Sequence, residues 1–350
     1  MRWQDRRRSS NVEDRRGQNT GGGMFGGSPR SGGGGGFNFP MGGRMGGGIG
    51  LIIILVLALL FGGGDCLGGL FGGPQTEQAP GGPANDDSGV VVPTLGQSGN
   101  RTNPTYNMAV GEEVDISNDD MIVDFLKVVL AETEVTWTEI FKQYGRTYKP
   151  TTLVVYDGRT HSACGTGTAQ TGPFYCPADQ KVYIDVSFFR ELAGKYRAGG
   201  DFAIAYVLAH EVAHHVQYLL GITQQMEQQR GRVSQTEMNR LTVRLELQAD
   251  YMAGVWAHDA YKQGIISEGD LEEAMRATAA IGDDRLQKQA QGYVVPDSFT
   301  HGTSEQRTRW FLKGYETGSL AEWDTFSIPY DQLMAPQYLL AVEHADNVIR

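Results

Sequence analysis

Cysteine is scarce in this chain: three in 350 residues, at positions 66, 164 and 176, with no C-x-x-C pair. That spacing excludes a metal site built from cysteines. An excess of positive charge is also missing. The formal net charge is −11, and an acidic body is poorly suited to nucleic acid as its main partner. Histidine is sparse, with seven in the whole chain, so an ordered histidine pattern carries weight. Charge of either sign is absent from Met45 to Gly64, about the length needed to cross a bilayer core.

Glycine, by contrast, crowds one end: 29 of the 48 glycines fall in the first 100 residues. Such a composition cannot bury enough apolar surface to fold. Residues 1–44 therefore read as a disordered Arg/Gly-rich tail and 65–105 as a flexible linker. The packed domain is expected over 106–330, with 331–350 as a C-terminal extension. The tail carries eight arginines and three acids, a net of +5, which leaves −16 for the remainder. Between tail and linker, Ile49 to Phe61 is intensely hydrophobic, and the reading is one uncleaved transmembrane helix over 45–64. Arginines precede it and acids follow it. The positive-inside rule then places the N-terminus in the cytoplasm and the folded domain on the periplasmic or extracellular side. Cys164 and Cys176 are expected to pair as a disulfide in that oxidising compartment. Loop closure of this size contributes on the order of 3 kcal/mol.

The most specific pattern is His210-Glu211-Val212-Ala213-His214. It reads H-E-x-x-H, the minimal signature of a zinc-dependent hydrolase. On a helix, two histidines four apart project from one face and can offer ring nitrogens to one ion. Glu211 stands where such sites place the carboxylate that takes a proton from water. The surroundings support a helix over 202–220: Phe202, Tyr206, Ala209, Ala213, Val216 and Leu220 recur at three- and four-residue steps, and Gly221 follows. His215 points off the ligand face.

Zinc needs a third protein ligand if one position is to stay open for water. A metzincin continuation would place Gly at 217 and His at 220, but Gln217 and Leu220 stand there, so that class is excluded. A second long helix is expected over 233–261, and it contains Glu246-Leu247-Gln248-Ala249-Asp250. This E-x-x-x-D pattern puts both carboxylates on one face, among apolar neighbours Leu245, Ala249, Met252, Ala253 and Val255. A buried carboxylate needs a partner. Glu246 is the expected third ligand, and Asp250 the expected acceptor for the far N–H of a ligand histidine, His210.

The run Ala209 to Gln217, the E-x-x-A-D run from Glu246 to Asp250, and Gly172-Pro173-Phe174-Tyr175-Cys176-Pro177 together resemble the bacterial neutral zinc metallopeptidases over roughly residues 1 to 326. The resemblance implies a zincin-type, membrane-anchored peptidase with Zn2+ as cofactor and peptides or proteins as substrates.

The expected fold is α+β, a helix-dominated zincin-like domain with a small sheet. Helices are expected over 118–144, 202–220, 233–261, 267–281 and about 303–316, and strands over 151–156 and 181–186. The strand at 181–186, or the Cys164–Cys176 loop beside it, is the candidate edge for pairing with extended substrate. Near the C-terminus, His301 and Arg307 are the candidates for stabilising the oxyanion, with Tyr293 behind them. The function these residues imply is hydrolysis of peptide bonds by metal-activated water with Glu211 as general base. Two rivals stand beside it: a catalytically silent, membrane-tethered binding or scaffold protein with a structural zinc, and an RNA-associated membrane protein acting through its Arg/Gly tail.

Overall fold

The computed structural model describes residues 1–18 and 113–334. Its order is β1 (Val12–Asp14), α1 (Asp119–Gln143), β2 (Thr152–Tyr156), β3 (Arg159–Ser162), β4 (Gly165–Thr168), β5 (Phe174–Cys176) and β6 (Lys181–Asp185). Helices follow: α2 (Ser187–Gly194), α3 (Asp201–Leu220), α4 (Ile222–Glu227), α5 (Gln235–Lys262), α6 (Glu268–Ala280), α7 (Asp283–Gln291) and α8 (Ser304–Thr317). Helices dominate and the sheet is small, as expected from the pattern.

Four strands form the sheet in the order β1-β2-β6-β5, and β3-β4 is a separate antiparallel hairpin. β1 and β6 each run parallel to β2, while β5 runs antiparallel to β6. The period-two alternation of strands divides the side chains between two cores. Leu153, Val155, Val182, Ile184 and Tyr175 join the main core shared with the helices. Val154, Tyr156, Tyr183, Phe174 and Cys176 form a smaller cluster on the other face. The hairpin covers that second face: an added Cβ at Gly167 would lie 2.9 Å from the Phe174 ring. Cys164 and Cys176 are disulfide-bonded, tying the hairpin end to β5. β6 is paired on both sides, so of the two candidate edges only the stretch between the cysteines, through β5, lies at the border of the sheet.

α3 is buried at every residue from Asp201 to Gln217, which makes it the central helix. It packs on α1, α5, α6 and the β5–β6 side of the sheet. Gly221, in the left-handed region, ends it. Asp201 is its first helical residue. Its carboxylate accepts the Val114 N–H at 2.6 Å and pairs with the Met1 amino group. α5 begins at Ser234, whose side chain accepts from the Glu237 N–H, and α8 begins with a capping box at Thr303 and Gln306. Among the described residues, α5 and α8 make the most extensive helix contact. Two glycines permit it: a Cβ at Gly254 would stand 2.0 Å from the Phe311 carbonyl oxygen, and one at Gly314 would stand 1.9 Å from that of Tyr251.

The N-terminal expectation needs correction. Residues 1–18 are not a disordered tail. Trp3 is buried in the main core against Phe125, and β1 is a member of the sheet. Among the described residues, arginines that suggested a topogenic or RNA-binding tail are paired instead: Arg7 with Glu134, Arg8 with Asp124, Arg16 with Asp14 and Asp120. This overturns the single-pass localisation. One crossing between residues 18 and 113 would place β1 and its partner β2 on opposite sides of a membrane. No described helix is long and apolar enough to cross a membrane. The 45–64 segment lies outside the described residues, as do the proposed linker and most of the C-terminal extension.

The glycine crossing gives a direct test. Gly254→Ala puts a methyl group into the backbone of α8, and overpacking against main chain costs about 3 kcal/mol or more. Urea unfolding of the variant is expected to show that loss, whereas Gly269→Ala, with open space at its Cβ, should change stability by less than about 1 kcal/mol.

Candidate metal centre

α3 and α5 bring the expected residues together. Among the described residues, His210, His214 and Glu246 form a group whose donor atoms all lie within 4.8 Å of one another, and all three are buried. His210 Nε2 is 3.1 Å from Glu246 Oε2, and His214 Nε2 is 3.5 Å from Glu246 Oε1. The other ring nitrogens are engaged. His210 Nδ1 lies 2.9 Å from Asp250 Oδ1, and His214 Nδ1 lies 2.8 Å from Gln217 Oε1.

The hydrogen positions follow from the partners. Asp250 is buried and accepts from Arg307 Nε at 2.9 Å, Arg307 Nη2 at 3.0 Å and the Tyr206 hydroxyl at 2.5 Å. Burial alone would raise its pKa, but Arg307 and His210 outweigh burial and hold it below the usual carboxylate range. An ionised carboxylate only accepts, so the hydrogen between it and His210 belongs to Nδ1. A neutral His210 then turns a lone pair toward Glu246.

The same holds at His214, whose Nε2 has no hydrogen-bond partner, as does Glu246 Oε1. Lone pairs facing one another in a buried site repel unless something positive lies among them. Two imidazole nitrogens and a carboxylate are a donor set that suits zinc, so these residues fit the ion.

Glu211 sits beside this group. It is 6 % exposed, and its Oε2 is buried without a partner. Burial raises its pKa, and His214 and His210 counter only part of that effect. His301 approaches from the loop before α8. Its Nδ1 lies 3.2 Å from Asp283 Oδ1, and a proton on its ring would favour the ionised form of Glu246. Burial works against a protonated His301, but Asp283 and Glu246 carry its pKa up. Asp283 also holds the loop: its Oδ2 accepts the N–H groups of Thr300, His301 and Gly302 at 2.6, 2.6 and 3.1 Å.

Arg307 departs from expectation. It is 2 % exposed and donates to Asp250, to the Tyr206 hydroxyl at 3.1 Å and to the Ile281 carbonyl. It stands behind His210 and does not face the donor group. Tyr293 is 63 % exposed on the loop after α7. His215 turns away as expected, between the Tyr175 hydroxyl and the Lys149 carbonyl. Three residues escaped the sequence reading. Tyr206 was counted only as apolar. Gln217 served only to exclude a class, although its place three residues after His214 on one helix was a usable signal. Asp283 follows a glycine in a stretch with no strong periodicity.

A helix-borne H-E-x-x-H converging on a glutamate from a second helix defines a zinc-peptidase type of centre. The chain belongs to the family described as "Putative neutral zinc metallopeptidase", whose model matches residues 1–326. Zinc is the cofactor that this family implies, and peptides or proteins are the substrates that a peptidase family implies. The chain is 46 % identical to "Uncharacterized protein YpfJ" of Escherichia coli K12 over 331 residues, covering 93 % of this chain and 99 % of that protein. It is 40 % identical to "Uncharacterized protein Rv2575" of Mycobacterium tuberculosis over 207 residues, covering 55 % and 67 %. No solved structure matches the chain significantly.

Without metal, the site keeps a proton. Burial opposes it, but Asp250 and Glu246 raise His210 to about 9. A zinc ion held by His210 would have to displace that proton, because both seek the same lone pair. Zinc uptake at neutral pH is therefore expected to release about one proton, with apparent affinity falling roughly tenfold per pH unit below 9. Calorimetry in buffers of different ionisation enthalpy measures this, and pH-independent uptake would contradict it.

Proposed function

We propose that this chain is a zinc-dependent peptidase in which His210, His214 and Glu246 hold the ion and Glu211 moves the proton. The observation that carries the reading is Glu211 itself: a buried carboxylate oxygen without a partner, next to three converging donor atoms. A purely structural zinc site has no use for it, and an unpaired buried carboxylate costs stability.

Bound there, zinc supplies Lewis acidity, which acidifies water and polarises a substrate carbonyl. The remaining chemistry belongs to the side chains. Glu211 accepts a proton from the attacking water on a carboxylate oxygen while the water oxygen bonds to the peptide carbon. Its burial raises its basicity, which favours that transfer. The carbonyl oxygen gains negative charge, and His301, held by Asp283, donates to it from Nε2. Glu211 then gives the proton to the amide nitrogen as the C–N bond breaks. Asp250 and Arg307 take no direct part. They fix the ring of His210 and its tautomer.

Glu211→Gln preserves shape and removes the base. It is expected to bind zinc like the parent and to lose roughly 10²–10⁴-fold in turnover of an unfolded protein such as casein. Metal content by atomic absorption and peptide release by mass spectrometry check both halves. Equal turnover in parent and variant would remove Glu211 from its role. One bound zinc with no cleavage by the parent would favour a silent binding protein. His301→Ala should lower kcat with little change in KM, and a change confined to KM would assign it to substrate binding instead.

A further inference from the structure

We propose that Gln217 sets the tautomer of His214, and so aims its free lone pair at the metal position, through a side-chain amide relay anchored on two main-chain carbonyls. This rests on the reading of His214 as a zinc ligand and deepens it.

The relay can be followed bond by bond. Gln248 Nε2 donates to the Trp323 carbonyl at 3.3 Å. That leaves Gln248 Oε1 as an acceptor, and Gln217 Nε2 donates to it at 3.1 Å. Gln217 Nε2 also donates to the Leu245 carbonyl at 2.7 Å. Amide nitrogen and oxygen are normally distinguished only by their hydrogen bonds. Here backbone carbonyls, which can only accept, terminate the relay at both Leu245 and Trp323. They force both amide groups into one orientation. Gln217 Oε1 is therefore an acceptor, and the hydrogen at 2.8 Å from it lies on His214 Nδ1. Nε2 is left with its lone pair toward Glu246.

Reversing Gln217 would set its NH₂ against the imidazole and its oxygen against two other acceptors. Gln217 and Gln248 are 0 % and 1 % exposed, so water does not relieve such a clash. The two ligand rings are thus oriented by unlike partners. His210 leans on an ionised carboxylate, whereas His214 leans on a neutral amide. The relay also ties α3 to α5 and, through Trp323, to the segment after α8.

Three variants and two readouts test this. Gln217→Leu keeps the bulk and removes the acceptor. Gln217→Glu keeps an acceptor at the same atom, with its second oxygen, in the place of Nε2, protonated toward the Leu245 carbonyl. In the metal-free protein at mildly alkaline pH, the ¹⁵N shifts of His214 report which ring nitrogen carries hydrogen. The parent and Gln217→Glu are expected to show Nδ1–H, and Gln217→Leu to shift toward Nε2–H. Zinc affinity, by competition with a chelator, should fall about 10–100-fold in Gln217→Leu.

Gln248→Leu should keep the tautomer, since Leu245 alone still orients Gln217, with a smaller loss of affinity. An unchanged tautomer and affinity in Gln217→Leu would overturn the proposal. If that variant does not fold, an Nε2–H ring in Gln217→Glu would overturn it equally. If the parent binds no zinc, the ligand reading falls, while the metal-free tautomer still decides the relay.

Discussion

The buried charge of Asp250 is the constraint on which the site depends. An ionised carboxylate at 0 % exposure survives only with its lone pairs filled by donors. Two helices supply them, His210 and Tyr206 from α3 and Arg307 from α8, meeting an acid on a third, α5. Removing one partner would leave the others as uncompensated buried groups. The four side chains therefore hold one another, and with them the angle between α3 and α5. That angle places Glu246, one turn before Asp250, opposite the two imidazoles. The arginine must also reach so far inward, which the close α5–α8 crossing at Gly254 and Gly314 allows.

Much of this was legible from spacing. H-E-x-x-H and E-x-x-x-D each put two groups on one helical face, and helix geometry does the rest. The long helices could be read because their apolar periodicity is strong: 118–144 was expected and 119–143 is observed, 202–220 against 201–220, and 233–261 against 235–262. α7 and the β3–β4 hairpin carry little apolar content of their own, so periodicity could not find them. The role of Arg307 was misread for a physical reason. A cation near a metal site in sequence suggests oxyanion stabilisation, but only the fold shows that Asp250 needs its charge more.

The N-terminal segment misled for a related reason. Charge excess and glycine content average over the first hundred residues, whereas the first 18 differ from the rest. They hold Trp3, Val12 and a set of arginines whose partners lie more than a hundred residues away on α1. Composition cannot see pairing over such a separation. The family match beginning at residue 1 agrees with a segment that belongs to the folded body. Exposed ion pairs contribute little, so the buried Trp3 side chain and the β1–β2 ladder are the stronger anchors.

The unlike support of the two histidines has an electrostatic logic. Glu246 already places one negative charge against the imidazoles, and Asp250 adds a second that Arg307 offsets. A carboxylate in place of Gln217 would add a third anion with no cation beside it, in a region where burial strips away solvent screening. The neutral amide avoids that cost and still dictates where the hydrogen of His214 lies, because its own direction is imposed by backbone carbonyls. A charged partner raises the basicity of one ligand, and a neutral one fixes the direction of the other. Together they specify a centre whose three donor groups converge before any ion arrives, so exchanging the proton at His210 for a cation requires little rearrangement of the fold around it.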